Sequence, residues 1–486
     1  MHSSSGVHED RRPGEAAGAS KPATLLQCHA VIDALTLEVT LLREQMTLLQ
    51  ERLKLDSRNS SKPPSSDGPA SGNRAQRRAS QRKRGAQQGH RGSFRATLDQ
   101  AQVDSIVDCP PPPVCECGAS VQVNGKPVRH QVFDVPPIKA RVDEYRLYSG
   151  RCTGCGKPHR AALPAGVPSG QLGARALALV GVLGTRYHLT QQKTRDLLAQ
   201  LLGVDFSVGA ISQAHGKVSE ALKVPLAEAA ASLPKAAVLH MDETHYPREG
   251  SGNWVWAVVQ PSLVVYSILP SRARYVINDL IGKTPTAVVV SDRYAGYAHI
   301  DASQRQVCWA HLLRDFTRIA QRDGQPGRIG RRLLGLGYVM FRWRSRGMTT
   351  AQQFEPLQRR LRLALQAGVG QASCKRTANT CANLIKIWPA LWGFVTHPGV
   401  EPTNNAAEQA LRTIVLKRKI SGPTRSRRGD QFIARGFSAF ETCRRQRRDL
   451  LDYLHGAVIA WIDKATPPSL LPALMPALVP ALVPSG

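Results

Sequence analysis

The chain has 486 residues, 42% of them hydrophobic, which is enough for a large buried core and, by length, about three domains. Lys and Arg number 65 against 36 Asp and Glu, a net charge of +29, and the basic residues fall in clusters poor in acids. Such clusters are the footprint of a polyanionic partner rather than of plain solubility. No stretch offers the about eighteen uninterrupted apolar residues of a membrane span, and the N-terminus has no signal-type apolar core. The sequence therefore reads as cytoplasmic, with its ten cysteines as thiols or metal ligands rather than disulfides.

Residues 1–24 are polar, rich in Gly, Ser and Ala, and expected to be disordered. Over 25–55 the apolar positions Leu25, Cys28, Ile32, Leu35, Val39, Leu42, Met46, Leu49 and Leu53 alternate spacings of three and four. That pattern predicts a coiled coil and hence self-association, most simply as a homodimer; a helix docked on its own chain is the competing reading. Residues 56–98, with SSKPPSSD and RAQRRASQRKRGAQQGHRG, lose all apolar period and read as a flexible basic arm. Within it Arg77, Arg78, Arg82, Lys83 and Arg84 can neutralise nucleic-acid phosphates without reading bases.

Residues 99–165 carry Cys109, the pair Cys115 and Cys117, an alternating β-like stretch from Val121 to Tyr148, and Cys152-Thr-Gly-Cys155. Two knuckles flanking a small sheet predict a zinc-ribbon-like module with Cys115, Cys117, Cys152 and Cys155 holding Zn2+. The first knuckle is CxC rather than CxxC, so Cys109 or His159 stand as substitute ligands. Residues 170–233 read as helices. LTQQKTRDLLAQLLG and SVGAISQAHGKVSEAL, with Thr190 and Ser207 as N-caps, form a helix-turn-helix-like pair; its second helix could read a major groove, and a plain bundle corner fits equally well.

From 235 to 450 the pattern turns α/β. The apolar run AAVLHMDE predicts a buried strand over 236–241 delivering Asp242 to a sheet edge, and TAVVVSD does the same for Asp292. NWVWAVVQ and LVVYSILP form a hairpin beside the first strand, and a helix at SRARYVINDLIG precedes TAVVVSD. Three antiparallel strands, a helix and a further strand is the order of an RNase-H-like core, in which the two strand ends lie side by side. Residues 317–400, helical and basic, read as an inserted domain. A helix opening at Thr403 then carries Glu408, with Arg412 one turn later, followed by the basic run holding Lys417, Arg418, Lys419 and Arg425. Two strand-end aspartates and a helix-borne glutamate can hold two divalent cations that activate an attacking oxygen and stabilise a leaving one. Glu243 points to the opposite strand face from Asp242 and reads as structural. His245 and His311 fit contact with DNA, ordering of a carboxylate, or plain structural roles. Asn404 and Asn405 fit a helix cap or a phosphate contact. Residues 451–486 comprise a helix and the tail PALMPALVPALVP, whose prolines forbid a continuous helix.

Taken together, DETHYPREGSGNWVWAVV, SDRYAGY, CWAHLLRDF, NNAAEQALR, RKISG and FETCRRQ, with the coiled coil, SSKPPSSD, the glycine-histidine segment at Gly85–Gly92 and the knuckles in the same order, resemble the transposases of the insertion sequence sixty-six family. The resemblance spans nearly the whole chain and departs from the family pattern at the CxC knuckle and at Pro423, where a second glycine is common. It implies a DDE triad of Asp242, Asp292 and Glu408 using Mg2+ or Mn2+. It further implies binding of the element's terminal repeats, metal-dependent cleavage and strand transfer into target DNA, association with the bacterial nucleoid, and two small accessory proteins as partners. From other classes, a DNA-binding regulator with an inactive nuclease-like core shares the charge and the arm, and a nuclease without joining activity shares the acids.

Overall fold

The computed structural model describes residues 95–472, apart from 124 and 372, together with helical positions at 28–29, 31–36, 38–39, 42 and 46. The chain divides into two compact units, Met1–Pro69 and Ala70–Gly486. In the first, the described seam residues Ile32, Leu35, Val39, Leu42 and Met46 are helical and exposed. Cys28, also on the seam, is helical and half-buried, while the seam residues Leu25, Leu49 and Leu53, residues 1–24, and Arg77, Arg78, Arg82, Lys83 and Arg84 of the arm lie outside the described residues, as does the tail from 473.

The described part of the second unit includes, near its start, two cysteine turns. Strands β1 (Ser149–Arg151) and β2 (Pro158–Arg160) pair antiparallel around Cys152 and Cys155, and a single bridge, Val114 to Ser120, closes the turn of Cys115 and Cys117. Gly118 and Gly156 take φ of +85° and +72°, the left-handed geometry that each turn needs just past its cysteines. The alternating stretch 121–148, expected as strands, forms none among its described residues. Its apolar side chains Val123, Val128, Val132, Val135 and Val142 are all exposed, and alternation produces a sheet only where one face finds a layer to cover it.

Four helices follow: α1 (Ala174–Thr185), α2 (Gln191–Leu202), α3 (Val208–Ala221) and α4 (Lys223–Ser232). Thr190 and Ser207 cap as the sequence predicts, accepting from Lys193 N and Ala210 N at 3.1 Å each. Gly203, at φ +62°, ends α2 and makes the tight connection to α3.

The centre is a five-stranded sheet in the order β5-β4-β3-β6-β7, built from β3 (Val238–His245), β4 (Trp254–Val259), β5 (Val264–Leu269), β6 (Val288–Ser291) and β7 (Arg305–Val307). The first three strands are antiparallel; β6 and β7 run parallel to β3. Helix α5 (Arg274–Ile281) makes the crossover from β5 to β6. After β7 come α6 (Trp309–Ala320), α7 (Gly324–Ser345), α8 (Ala351–Val369), α9 (Lys375–Lys386) and the single turn α10 (Gly393–Thr396). Three more helices close the chain: α11 (Asn405–Ser421), α12 (Arg427–Gln446) and α13 (Leu450–Ile462).

Two cores share this sheet. One joins Leu239 and Val289 to Leu177, Ile211, Phe437 and Leu454, so the helices α1 and α3 and the C-terminal helices pack into one body with the strands. The other joins Val288, Val290 and Val307 to Leu333, Phe354, Leu361 and Trp392, so the helices of 317–400 bury their apolar faces against the sheet. Gly330 permits the close crossing of α7 on α6, because a Cβ there would lie 2.2 Å from Ala320 N. No described helix is long and apolar enough to cross a membrane.

Candidate active site

The strand predicted for 236–241 continues to His245, so Asp242 lies within β3 rather than at its end. What ends beside it is the parallel partner. Pairing of β3 with β6 runs Val238–Val288, Leu239–Val289 and His240–Val290, and then stops. Continuing that register sets Asp242 level with Asp292, both on the face of Val238 and Val288, since side chains alternate along a strand. On its other edge Asp242 stays paired with Ala257 of β4. The carboxylates are aimed by backbone amides: Glu243 N donates to Asp242 Oδ1 at 3.0 Å and Tyr294 N to Asp292 Oδ1 at 2.9 Å.

Glu408 stands in the first turn of α11, which begins at Asn405 rather than at Thr403. Four contacts fix that helix start. Asn404 is fully buried, donating from Nδ2 to Met241 O at 2.7 Å, while its Oδ1 lies 3.3 Å from His240 Nδ1. Its backbone N–H points to Cys308 Sγ at 3.2 Å, and Trp309 N donates to Pro402 O at 2.9 Å. Asn404 is therefore a tether between β3, the cap of α6 at Cys308, and α11, and its side chain makes no cap bond.

The three acids share one field. Burial, then the charges of Glu243, Asp292 and Glu408, push the Asp242 carboxyl well above the usual range, and only the Glu243 amide opposes them. Glu408 Oε1 is buried with no hydrogen-bond partner among the described residues. Acids that repel one another at Asp242, and an orphaned carboxylate oxygen on Glu408, fit a divalent cation of the hard, oxygen-seeking kind. The three acids do not close within 4.8 Å of one another, whereas Cys308, His311 and Glu408 do. Two cations about 4 Å apart do not require every acid to touch every other.

Glu243 faces away, as expected. Arg272 donates to it at 2.8 Å and Tyr297 Oη at 3.0 Å, with Arg272 held over Trp254 and Tyr294. Burial and the nearby Asp292 nevertheless push its carboxyl up to about 7. His245 is exposed with its ring edge-on to Trp254 at 5.5 Å.

Of the basic residues expected on a DNA surface, Arg412 and Lys419 are exposed on α11, and Arg418 donates to His245 O. Arg425 is 87% exposed and 3.8 Å from Glu249. It lines a cleft of about 790 Å³ between the starts of α2, α3 and α12, together with Thr190, Gln192, Ser212 and Arg428. Lys417 is a correction. It is buried, and its ammonium donates to Leu189 O at 2.9 Å and Ser421 Oγ at 3.0 Å, anchoring the entry to α2. Its spacing from Ala407, Ala410 and Ile414 places it on the buried stripe of α11, a helical period that the surrounding charge run masks.

The four expected zinc ligands are not brought together. The thiols of Cys115 and Cys117 face each other across one turn, those of Cys152 and Cys155 across another, and contact with its partner lowers the first of each pair below the usual thiol range. No set of three potential ligands drawn from these turns lies within one coordination sphere among the described residues. The residues as placed therefore do not fit Zn2+.

A mixed α/β core around a five-stranded sheet fits the core of a transposase, an enzyme that processes DNA. The Transposase IS66 family model matches residues 169–431, more than half of the chain, and the chain belongs to that family. Residues 22–96 match a separate family of unknown function. No curated protein matches the chain.

Proposed function

We propose that this transposase is an RNase-H-like DDE enzyme that binds the terminal repeats of its element, cleaves them, and joins the freed 3′ ends to target DNA. The observation that carries the reading is the β3–β6 register, which levels Asp242 with Asp292 just where the ladder ends, while Asn404 docks Glu408 beside β3. The strand order, with an antiparallel trio followed by two parallel strands, supports the RNase-H-like assignment. Asp242, Asp292 and Glu408 would hold Mg2+ or Mn2+, which when bound supplies Lewis acidity to the attacking and leaving oxygens. The chain's own work is positional. The acids are fixed by amides and by a buried tether. Water serves as the attacking group in cleavage and the 3′-hydroxyl in joining, both at one arrangement of acids.

Exposed Arg412, Lys419 and Arg425, with the arm residues Arg77, Arg78, Arg82, Lys83 and Arg84, would neutralise backbone phosphates. Self-association through 25–55 would pair two element ends. The test is strand transfer by purified protein with labelled element-end DNA, a plasmid target and Mg2+, comparing wild type, Asp242→Asn and EDTA. Both cleavage and joining should be lost in the variant while end binding persists. Retained joining would remove Asp242 from the mechanism, and nicking without joining would assign a nuclease.

A further inference from the structure

His311 lies in the first turn of α6, with its ring between two charged groups of opposite sign. On one side Nε2 is 3.2 Å from Arg314 Nη1; on the other Nδ1 is 3.6 Å from Glu408 Oε1. A guanidinium nitrogen can only donate, so Nε2 must accept. The single proton of a neutral imidazole is then on Nδ1. A doubly protonated ring is excluded by the same contact, because it would set N–H against N–H. The ring thus presents a donor, Nδ1–H, to a carboxylate oxygen. Both Nδ1 and Oε1 are buried and have no hydrogen-bond partner among the described residues. At 3.6 Å they stand just outside bonding range, and a shift of about 0.6 Å brings them to an ordinary hydrogen bond.

We propose that His311 is a positioning residue for Glu408: its Nδ1–H holds Oε1 so that Oε2 is presented to the cation, and Arg314 sets the tautomer that makes this possible. The inference rests on the reading of Glu408 as a cation ligand. The grouping of Cys308, His311 and Glu408 also resembles a three-ligand metal site, since their ligand atoms lie within 4.8 Å of one another. The donor inventory opposes that alternative. Nδ1 carries the proton and offers no lone pair, and Cys308 Sγ already accepts the Asn404 N–H. A buried partner that orients a ligating carboxylate is a common outer-layer device at metal sites, where its loss costs about 10–100-fold in affinity or activity.

The experiment is a titration of full-length protein with Mn2+ alone, free Mn2+ being read by electron paramagnetic resonance, for wild type, His311→Ala, His311→Asn and Glu408→Gln. Thermal melts check that each variant is folded. His311→Ala should weaken Mn2+ binding by about 10–100-fold. His311→Asn should stay close to wild type, because the asparagine Nδ2–H occupies the place of Nδ1–H. If His311 were itself a ligand, Asn would be as weak as Ala, which overturns the proposal. Wild-type affinity in His311→Ala with loss in Glu408→Gln also overturns it, while leaving Glu408 as a ligand. Wild-type affinity in Glu408→Gln instead removes the underlying reading, and the proposal with it.

Discussion

Replacing Asn404 with Ala tests whether the placement of Glu408 depends on a tether rather than on the helix alone. Pairing of β3 with β6 ends at His240, and one residue later Asn404 Nδ2 supplies a donor to Met241 O at 2.7 Å. The same side chain places Oδ1 3.3 Å from His240 Nδ1. Asn404 is fully buried, so truncation leaves a carbonyl and a ring nitrogen short of partners. A buried polar group left unsatisfied costs about 1–3 kcal/mol, so the pair gives roughly 2–5 kcal/mol of destabilisation. Domains of this kind hold about 5–15 kcal/mol, so the variant stays folded at room temperature with a lowered midpoint. The larger effect falls on chemistry, because a misplacement of about 1 Å at a reacting centre costs on the order of 100-fold. Urea unfolding followed by circular dichroism gives the first number, and strand transfer under conditions where both proteins are folded gives the second. An unfolding free energy within about 0.5 kcal/mol of wild type, with unchanged transfer, would refute the tether.

Two further outcomes follow from a buried imidazole and from the basic residues along the cleft. Burial pushes His215, stacked on Phe432 at 3.9 Å, from 6.5 down to about 3, so the folded ring stays neutral where the unfolded one takes a proton. This stability is present above pH 6.5 and is lost as pH falls toward 3; wild type should lose about 1.5 kcal/mol more than His215→Met between pH 6.5 and 5, measured by urea unfolding, and parallel curves would contradict it. Arg425 and Lys417 should separate cleanly in DNA binding. The exposed Arg425–Glu249 pair is weak and leaves the guanidinium available, so Arg425→Ala should lower the salt slope of DNA binding by about 1, whereas Lys417→Met should leave the slope unchanged and alter only stability. Equal slopes for wild type and Arg425→Ala would take the cleft out of the DNA path.

The parts of this fold that were legible are those written in local periods. Apolar runs ending in Asp242 and Asp292, a hairpin broken at Gln260–Pro261, and caps at Thr190 and Ser207 each lie within about ten residues, where spacing alone carries the signal. What was hidden is what depends on meeting across the fold. The Asn404–Cys308 and Asn404–His240 contacts span 96 and 164 positions, and nothing near Asn404 distinguishes a tether from a cap. The 121–148 stretch failed for the complementary reason. It has the right alternation but no covering layer, and a strand pattern without a partner remains irregular.

The persistence of the acid cluster also follows from the register. Three carboxylates gathered with little offsetting charge repel one another, and each would gain by moving apart. They cannot do so singly. Asp242 is held by β4 on one edge, and a slip of one residue would turn Leu239 and Met241 out of the core and their neighbours into it. Asp292 is fixed by Arg305, whose guanidinium donates to its carbonyl at 2.7 Å, and Glu408 by a helix start tied at Asn404 and Pro402. The repulsion is therefore carried by hydrophobic packing on both faces of the sheet, some distance from the acids themselves. Substitutions in those two cores should accordingly disturb the site by letting the strands slide, whereas changes at the acids leave the scaffold standing.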